Sequence, residues 1–338
     1  MATTSKNSSP PRRAPFTATL ARVVGVGVVT AAVAAALLAS ASQAGVLLGV
    51  HGNAARFAAL TGQQSQIRHA FVSFDQGRAL GRVAVSLGPV PMLAVNTGSY
   101  GIRQTATPRS VAEGRNDRFL FQLNSIVAHW PGNRFYVRPF PEMNAHWAGT
   151  CAYNRDGTRR DAAHSTLWNR KALARIAVLL RGGPRTDVNA KLTQLGLPGI
   201  GVDLPVTTPK LRIVWNPQGY GAPDVQGNSA DAYYPGDAYV DVIGDDIYDM
   251  SGHGATWAAA VKLYDAHPSK PFAFPEWGLW GFDDARFVRD MAQFVRRHPR
   301  MEFIAYYSGR PGSVWDLATK PRSLAAYRAS IKPFGTVP

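Results

Sequence analysis

The sequence predicts an α/β chain folded as a single (β/α)8 TIM barrel, and three observations point there. Eight short apolar segments, rich in β-branched and aromatic residues, recur along the chain. Most are separated by stretches with helical spacing or by Gly- and Pro-rich loops, the pattern of parallel strands with helices outside. The part of the chain that carries them is roughly 290 residues long, which suits an eight-stranded barrel. A doubly wound open sheet shares the alternation, but no Gly-rich phosphate loop follows the first segment.

Taken in order, 46–52 (VLLGVHG) is the first strand candidate, an apolar run closed by glycine. Residues 69–75 (HAFVSFD) alternate and end in Asp75, and 91–98 (PMLAVNTG) repeat the pattern with Asn96. Residues 117–130 have helical spacing, with Phe119, Leu120, Leu123, Ile126, Val127 and Trp130 on one face. The fourth strand runs through Phe135, Tyr136 and Val137, breaks at Pro139 and Pro141, and delivers Glu142 and Asn144. A helix follows at 168–180, then a loop with one helical turn over 181–210. The remaining strands are 211–217 (LRIVWNP), 239–248 (YVDVIGDDIY), 271–276 (PFAFPE) and 302–308 (EFIAYYS), with helices at 255–266, 284–298 and 324–331.

Residues 1–44 stand apart as an export signal or membrane anchor. Lys6, Arg12, Arg13 and Arg22 lie in a stretch without acids, an apolar run follows at 23–39, and Ser42-Gln43-Ala44 suits a signal peptidase. About 17 apolar residues is near the lower limit for a span, so an uncleaved anchor is the alternative. Either way the folded part, 45–338, is expected outside the cytoplasm, secreted or held at the envelope through its N-terminus. The formal net charge is +15, and the leader's four basic residues leave +11 for the rest. That favours an anionic polysaccharide or envelope as partner. Nucleic acid is not expected, because the basic residues are scattered and no binding motif occurs. Cys151 is the only cysteine, which excludes an intrachain disulfide. Zinc-type spacing is absent, and no metal or other cofactor is expected. The chain is read as a monomer.

In a parallel barrel, side chains just past the C-terminal strand ends share the face that carries chemistry. In strand order these are His51 and Asn53, Asp75, Asn96, Glu142 and Asn144, Asn216, Asp246 and Tyr248, Glu276 and Trp277, then Tyr306 or Tyr307. A lone glutamate there is ordinarily a solvated loop charge. Two of them, past the fourth and seventh strands, face each other across the ring. Retaining cleavage of a glycosidic bond needs such a pair about 5–5.5 Å apart, one carboxyl to protonate the leaving oxygen and one carboxylate to attack the anomeric carbon. Arg138 is placed to hold a carboxylate from below, Tyr248 to reach Glu276, and Asn144 to bond a sugar hydroxyl. Asp75 and Asn96 are read as further substrate-binding groups, and Trp147, Trp215 and Trp277 as surfaces for sugar rings. Asp245, Asp246 and Asp249 lack the spacing of a calcium loop and are read as hydrogen-bonding groups.

These residues carry a family resemblance. RPFPEMNAHW at 138–147 resembles the fourth-strand motif of glycoside hydrolase family 26, the family of β-mannanases with some β-glucanases and β-1,3-xylanases. WNP at 215–217, YYPGDAYVDVIGDDIYD at 233–249 and PFAFPEWGL at 271–279 resemble its fifth, sixth and nucleophile strands, in the same order. The resemblance implies an endo-acting retaining glycosidase of β-linked polysaccharides on a (β/α)8 barrel. It makes Glu142 the acid/base, Glu276 the nucleophile, Tyr248 the residue that orients it, and Trp147 and Trp215 sugar contacts. Many members carry His before the acid/base, and this chain has Pro141. Two rivals keep the barrel: a non-catalytic carbohydrate-binding or envelope-assembly protein, which needs no carboxylate pair, and a transglycosidase, which passes the sugar to another acceptor.

Overall fold

A computed structural model of the chain describes residues 45–98, 104–250 and 257–335. The segment read as export signal or anchor lies outside the described residues. Eight parallel strands close a barrel in sequence order: β1 (Leu47–His51), β2 (Ile67–Ser73), β3 (Val90–Asn96), β4 (Phe135–Pro139), β5 (Leu211–Trp215), β6 (Val242–Met250), β7 (Phe272–Trp280) and β8 (Met301–Tyr307), with β8 pairing back onto β1. The fold is a (β/α)8 barrel.

The helical layer is α1 (Ala54–Thr61), α2 (Leu80–Ser86), α3 (Pro108–Ala112), α4 (Asp117–Ala128), α5 (Thr166–Arg181), α6 (Arg185–Gln194), α7 (Trp257–Ala266), α8 (Ala285–Arg297) and α9 (Pro321–Ser330). α8 shows why such segments are helical. Asp284 caps it by accepting from the amides of Arg286 and Phe287. Phe287, Val288, Met291, Phe294 and Val295 form the buried stripe, and Arg296 and Arg297 meet the negative end of the helix dipole. The single turn expected in 181–210 is instead the ten-residue α6, with Val188 and Leu192 buried. α1, α2 and α3 lie in stretches to which the sequence reading gave no element; they are short, and α1 starts on a cap from Asn53 rather than on strong periodicity. No helix among the described residues is long and apolar enough to cross a membrane.

Alternation along the strands divides the interior in two. Ile67, Met92, Tyr136, Val214, Val242, Ala273, Phe303 and Ala305 form one cluster that contains no helix residue, and this fills the barrel floor. Their strand neighbours, such as Val72, Leu93, Val137, Ile213, Ile243 and Ile304, pack outward against the helices.

The strand β7 breaks that alternation. Gly244 pairs with Ala273 but Asp246 with Glu276, and on the other side Phe274 pairs with Ile304 but Trp277 with Tyr306. One extra residue therefore sits in β7, a bulge at Pro275, which has no N–H to give to a ladder. Strict alternation from the inward Ala273 would send Glu276 out. The bulge turns Glu276 into the barrel and Trp277 into the helical layer.

Candidate active site

Glu142 lies just past β4, and its backbone is unusual. Phe140 and Glu142 have φ of 53° and 54°, the left-handed region, on either side of Pro141. Each such non-glycine conformation costs on the order of 1–2 kcal/mol. Both are held by strand-like bonds to the neighbours: the Phe140 amide donates to Val95 O at 2.9 Å, and the Glu142 amide to Asn216 O at 2.8 Å. The carboxylate then accepts from the Trp147 indole N–H at 2.5 Å and from the Gln218 side-chain amide. Burial, and after it the negative charge of Glu276, push the Glu142 carboxyl above the usual range, while Trp147, Arg138 and Gln218 pull the other way.

Glu276 enters from β7. Its carboxylate accepts from the Arg138 guanidinium and, at 2.8 Å, from the Tyr248 hydroxyl. Arg138 rises from the barrel interior on β4 and forks to a second carboxylate, Asp246 on β6, which in turn accepts from the Glu276 amide at 3.0 Å. Burial works against the charge on Arg138, and Asp246 and Glu276 more than offset it. Tyr248 is held well above its ordinary range by burial and by Glu276, so it remains a phenol that donates.

A chain of aromatic rings runs on from Tyr248. Tyr307 stacks on His51 with centroids 4.5 Å apart and meets Trp315 edge-on at 5.0 Å; Trp315 meets Trp280 at 5.1 Å, and Trp280 meets Tyr248 at 6.0 Å. Below His51, His69 is buried with neither ring nitrogen bonded, and burial holds it well below the usual imidazole range.

Several expected site residues are placed otherwise. Trp215 and Trp277 are 1% and 0% exposed and pack in the helical layer, Trp215 against Tyr234 and His267, Trp277 against Tyr306 and Tyr327. Neither meets the barrel mouth: one follows from alternation on β5, the other from the β7 bulge. Asn144 is also buried, its amide group donating to Gln218 O and Tyr220 O and its oxygen accepting from the Gln218 amide. It clamps the β4 and β5 loops together and has no donor left for a sugar. Asn53 caps α1. Asp75 is exposed and accepts from the Ser73 hydroxyl, and Asn96 is half-buried at the end of β3; neither is bonded to the carboxylate pair. Tyr306 packs outward and Tyr307 sits at the mouth. Trp147, at 40% exposed, stays beside Glu142.

The sequence reading missed Gln218 as a partner of Glu142, and it placed Trp280 and Trp315 in or beside the C-terminal loops without choosing them over Trp215 and Trp277. Gln218 directly follows the WNP segment, so extending that strand's loop by one residue would have found it. Among the described residues no three His, Cys, Asp or Glu side chains gather as a metal site.

Solved structures resemble this fold. A family 26 β-mannanase from Bacteroides ovatus aligns over 88% of this chain and 91% of its own, with 15% identity and a TM-score of 0.57. The family 26 domain of an endo-β-mannanase/endo-β-glucanase from Prevotella bryantii aligns over 85% and 92%, with 15% identity and a TM-score of 0.51. A β-mannanase from a symbiotic protist of the termite Reticulitermes speratus aligns over 86% and 87%, with 15% identity and a TM-score of 0.50. No protein-family model and no curated protein matches the chain. At this identity the likeness is one of fold: a glycoside hydrolase family 26-like barrel.

Proposed function

We propose that the chain is an exported, endo-acting glycoside hydrolase that cleaves a β-linked polysaccharide with retention of configuration. The observation that supports this most is the pair of glutamates in opposite surroundings. Glu142 is pushed toward its proton-carrying form, while Glu276 is bonded by the guanidinium of Arg138 and the phenol of Tyr248. In this reading Glu276 attacks the anomeric carbon as the bond to the leaving oxygen breaks and Glu142 gives that oxygen its proton. A glycosyl ester forms on Glu276. Glu142, now a carboxylate, takes a proton from water, which attacks the same carbon and frees Glu276. Arg138 and Tyr248 position the nucleophile, and Trp147 offers a ring surface on the leaving-group side. This chemistry needs no cofactor.

β-Mannan is the first substrate to test, because the neighbours named above are β-mannanases and one is also an endo-β-glucanase. The basic charge adds anionic envelope polysaccharides. The test is hydrolysis of β-mannan, β-glucans, β-1,3-xylan and envelope polysaccharides by wild type and Glu276→Ala. Cleavage of at least one is expected, reduced by about 10³-fold or more in the variant with its melting temperature kept. Glu142→Ala is expected to spare aryl glycosides with good leaving groups far more than polysaccharide. Binding without cleavage across the panel would favour the non-catalytic barrel.

A further inference from the structure

We propose that His51 is a specificity-determining residue of this site, accepting a hydrogen bond through Nε2 from one ring hydroxyl of the saccharide unit bound over Glu276. The inference rests on the glycosidase reading above.

The proton inventory of the imidazole comes first. Nδ1 lies 3.0 Å from the backbone oxygen of His69. A carbonyl oxygen only accepts, so Nδ1 carries a proton, and in the neutral ring Nε2 keeps its lone pair. Burial lowers the His51 pKa from the usual imidazole value against the opposing pull of the Glu276 charge, which keeps the ring neutral near pH 7. Nε2 has no partner among the described residues, and His51 is only half-buried where His69 is buried. Among the described residues it is an acceptor without a donor.

The ring is also held in place. Tyr307 stacks on it with an interplanar angle of 18°, and His69 and Phe71 close on it at 5.1 and 5.2 Å. Tyr307 meets Tyr248 at 6.2 Å, and Tyr248 donates to Glu276, so the imidazole belongs to the same wall as the nucleophile. The strand order adds direction. β8 and β1 follow β7 around the barrel, while Glu142 and Trp147 stand on the β4 side. The leaving sugar therefore lies toward Trp147 and the ester-forming unit toward His51. A fixed, uncharged acceptor beside a carboxylate suits a hydroxyl donor, and it rejects an anionic or carbonyl group at that point of the sugar. Sites built to hydrogen-bond a hydroxyl discriminate strongly against analogues that lack it.

The test uses the full chain and aryl glycosides with good leaving groups: a parent sugar and its monodeoxy analogues, each assayed with wild type, His51→Phe and His51→Asn. In wild type, one deoxy position should lose on the order of 10- to 100-fold in kcat/KM. In His51→Phe, which can still stack on Tyr307, the parent should fall to that level and the same deoxy analogue should lose nothing further. The other positions should keep their wild-type penalties, and Asn, which retains an acceptor, should restore part of the loss. A merely structural role for His51 would lower every analogue alike and leave all penalties unchanged, and that result would overturn the proposal. If His51→Phe does not fold, the same comparison in His51→Asn decides: partial relief of one penalty supports the proposal, and unchanged penalties overturn it. Absence of turnover on every glycoside by wild type would instead remove the glycosidase reading, and this proposal with it.

Discussion

Glu142 and Glu276 are the same side chain in two surroundings. One accepts from an indole and an amide, the other from a guanidinium and a phenol. Hydrogen bonds to the ionised form lower a carboxyl pKa, so removing the Trp147 donor should raise that of Glu142. With Glu142 as the proposed acid, the alkaline limb of the kcat/KM profile should move to higher pH in Trp147→Phe, because Glu142 keeps its proton longer. A limb that stays where it was would show that the indole does not tune the acid. Asp245 provides a second test at this scale. Its Oδ1 accepts from the Gly219 amide at 2.9 Å, its Oδ2 has no partner among the described residues, and burial pushes its pKa up to about 7. The unfolded chain ionises this group at its ordinary value and the folded chain resists, so stability falls as pH rises from about 4 through about 7. The full difference is on the order of 4 kcal/mol. Asp245→Asn should flatten this part of the melting-temperature profile between pH 5 and 8; an unaltered slope would assign it to other groups.

At the scale of elements, the site depends on the bulge in β7 and on what makes room for it. A Cβ at Gly244 on β6 would lie 2.9 Å from Pro275 Cγ and 3.1 Å from Asn216 Cβ. Asn216 carries the carbonyl that holds the Glu142 amide, so one methyl group presses on the supports of both glutamates. Gly244→Ala should cost about 1–3 kcal/mol of stability through overpacking and lower turnover. Gly201→Ala, with nothing within 4 Å of its added Cβ, is the control and should change neither. Equal behaviour of the two variants in thermal unfolding and turnover would show that the bulge tolerates crowding. This is also where sequence reading lost the two tryptophans. Trp215 and Trp277 were assigned to the mouth by closeness in sequence to Asn216 and Glu276, but adjacent strand residues face opposite ways. On β7 the bulge decides which of the two turns inward, and a bulge is a matter of register between three strands.

At the scale of the molecule, the charge of +11 carried by residues 45–338 acts through the whole field rather than through one contact. Binding to an anionic polysaccharide should weaken several-fold between 50 and 500 mM salt, and binding to neutral β-mannan should not, as measured by retardation in affinity electrophoresis. Equal salt response for both would remove long-range charge from recognition. The barrel itself was legible because local signals agree with one another: eight apolar runs ending in polar groups, helical stripes such as 117–130 and 284–298, and a length that fits. The glutamates past the fourth and seventh runs were legible for the same reason, since strand ends are visible in a linear pattern. Their partners were only partly so. Arg138 and Tyr248 sit two residues apart from inward neighbours on their own strands, and alternation predicts where they point. Asn144 looked like a ligand-binding group and became a clamp, because its partners, Gln218 and Tyr220, lie more than seventy residues away. The tautomer that leaves Nε2 of His51 an acceptor depends on the carbonyl of another strand. Periodicity and strand ends are properties of neighbours along the chain, so the sequence alone determined the barrel and the carboxylate pair. Facing, hydrogen-bond partners and proton affinity are set by residues brought together from distant strands, and those only the closed barrel decided.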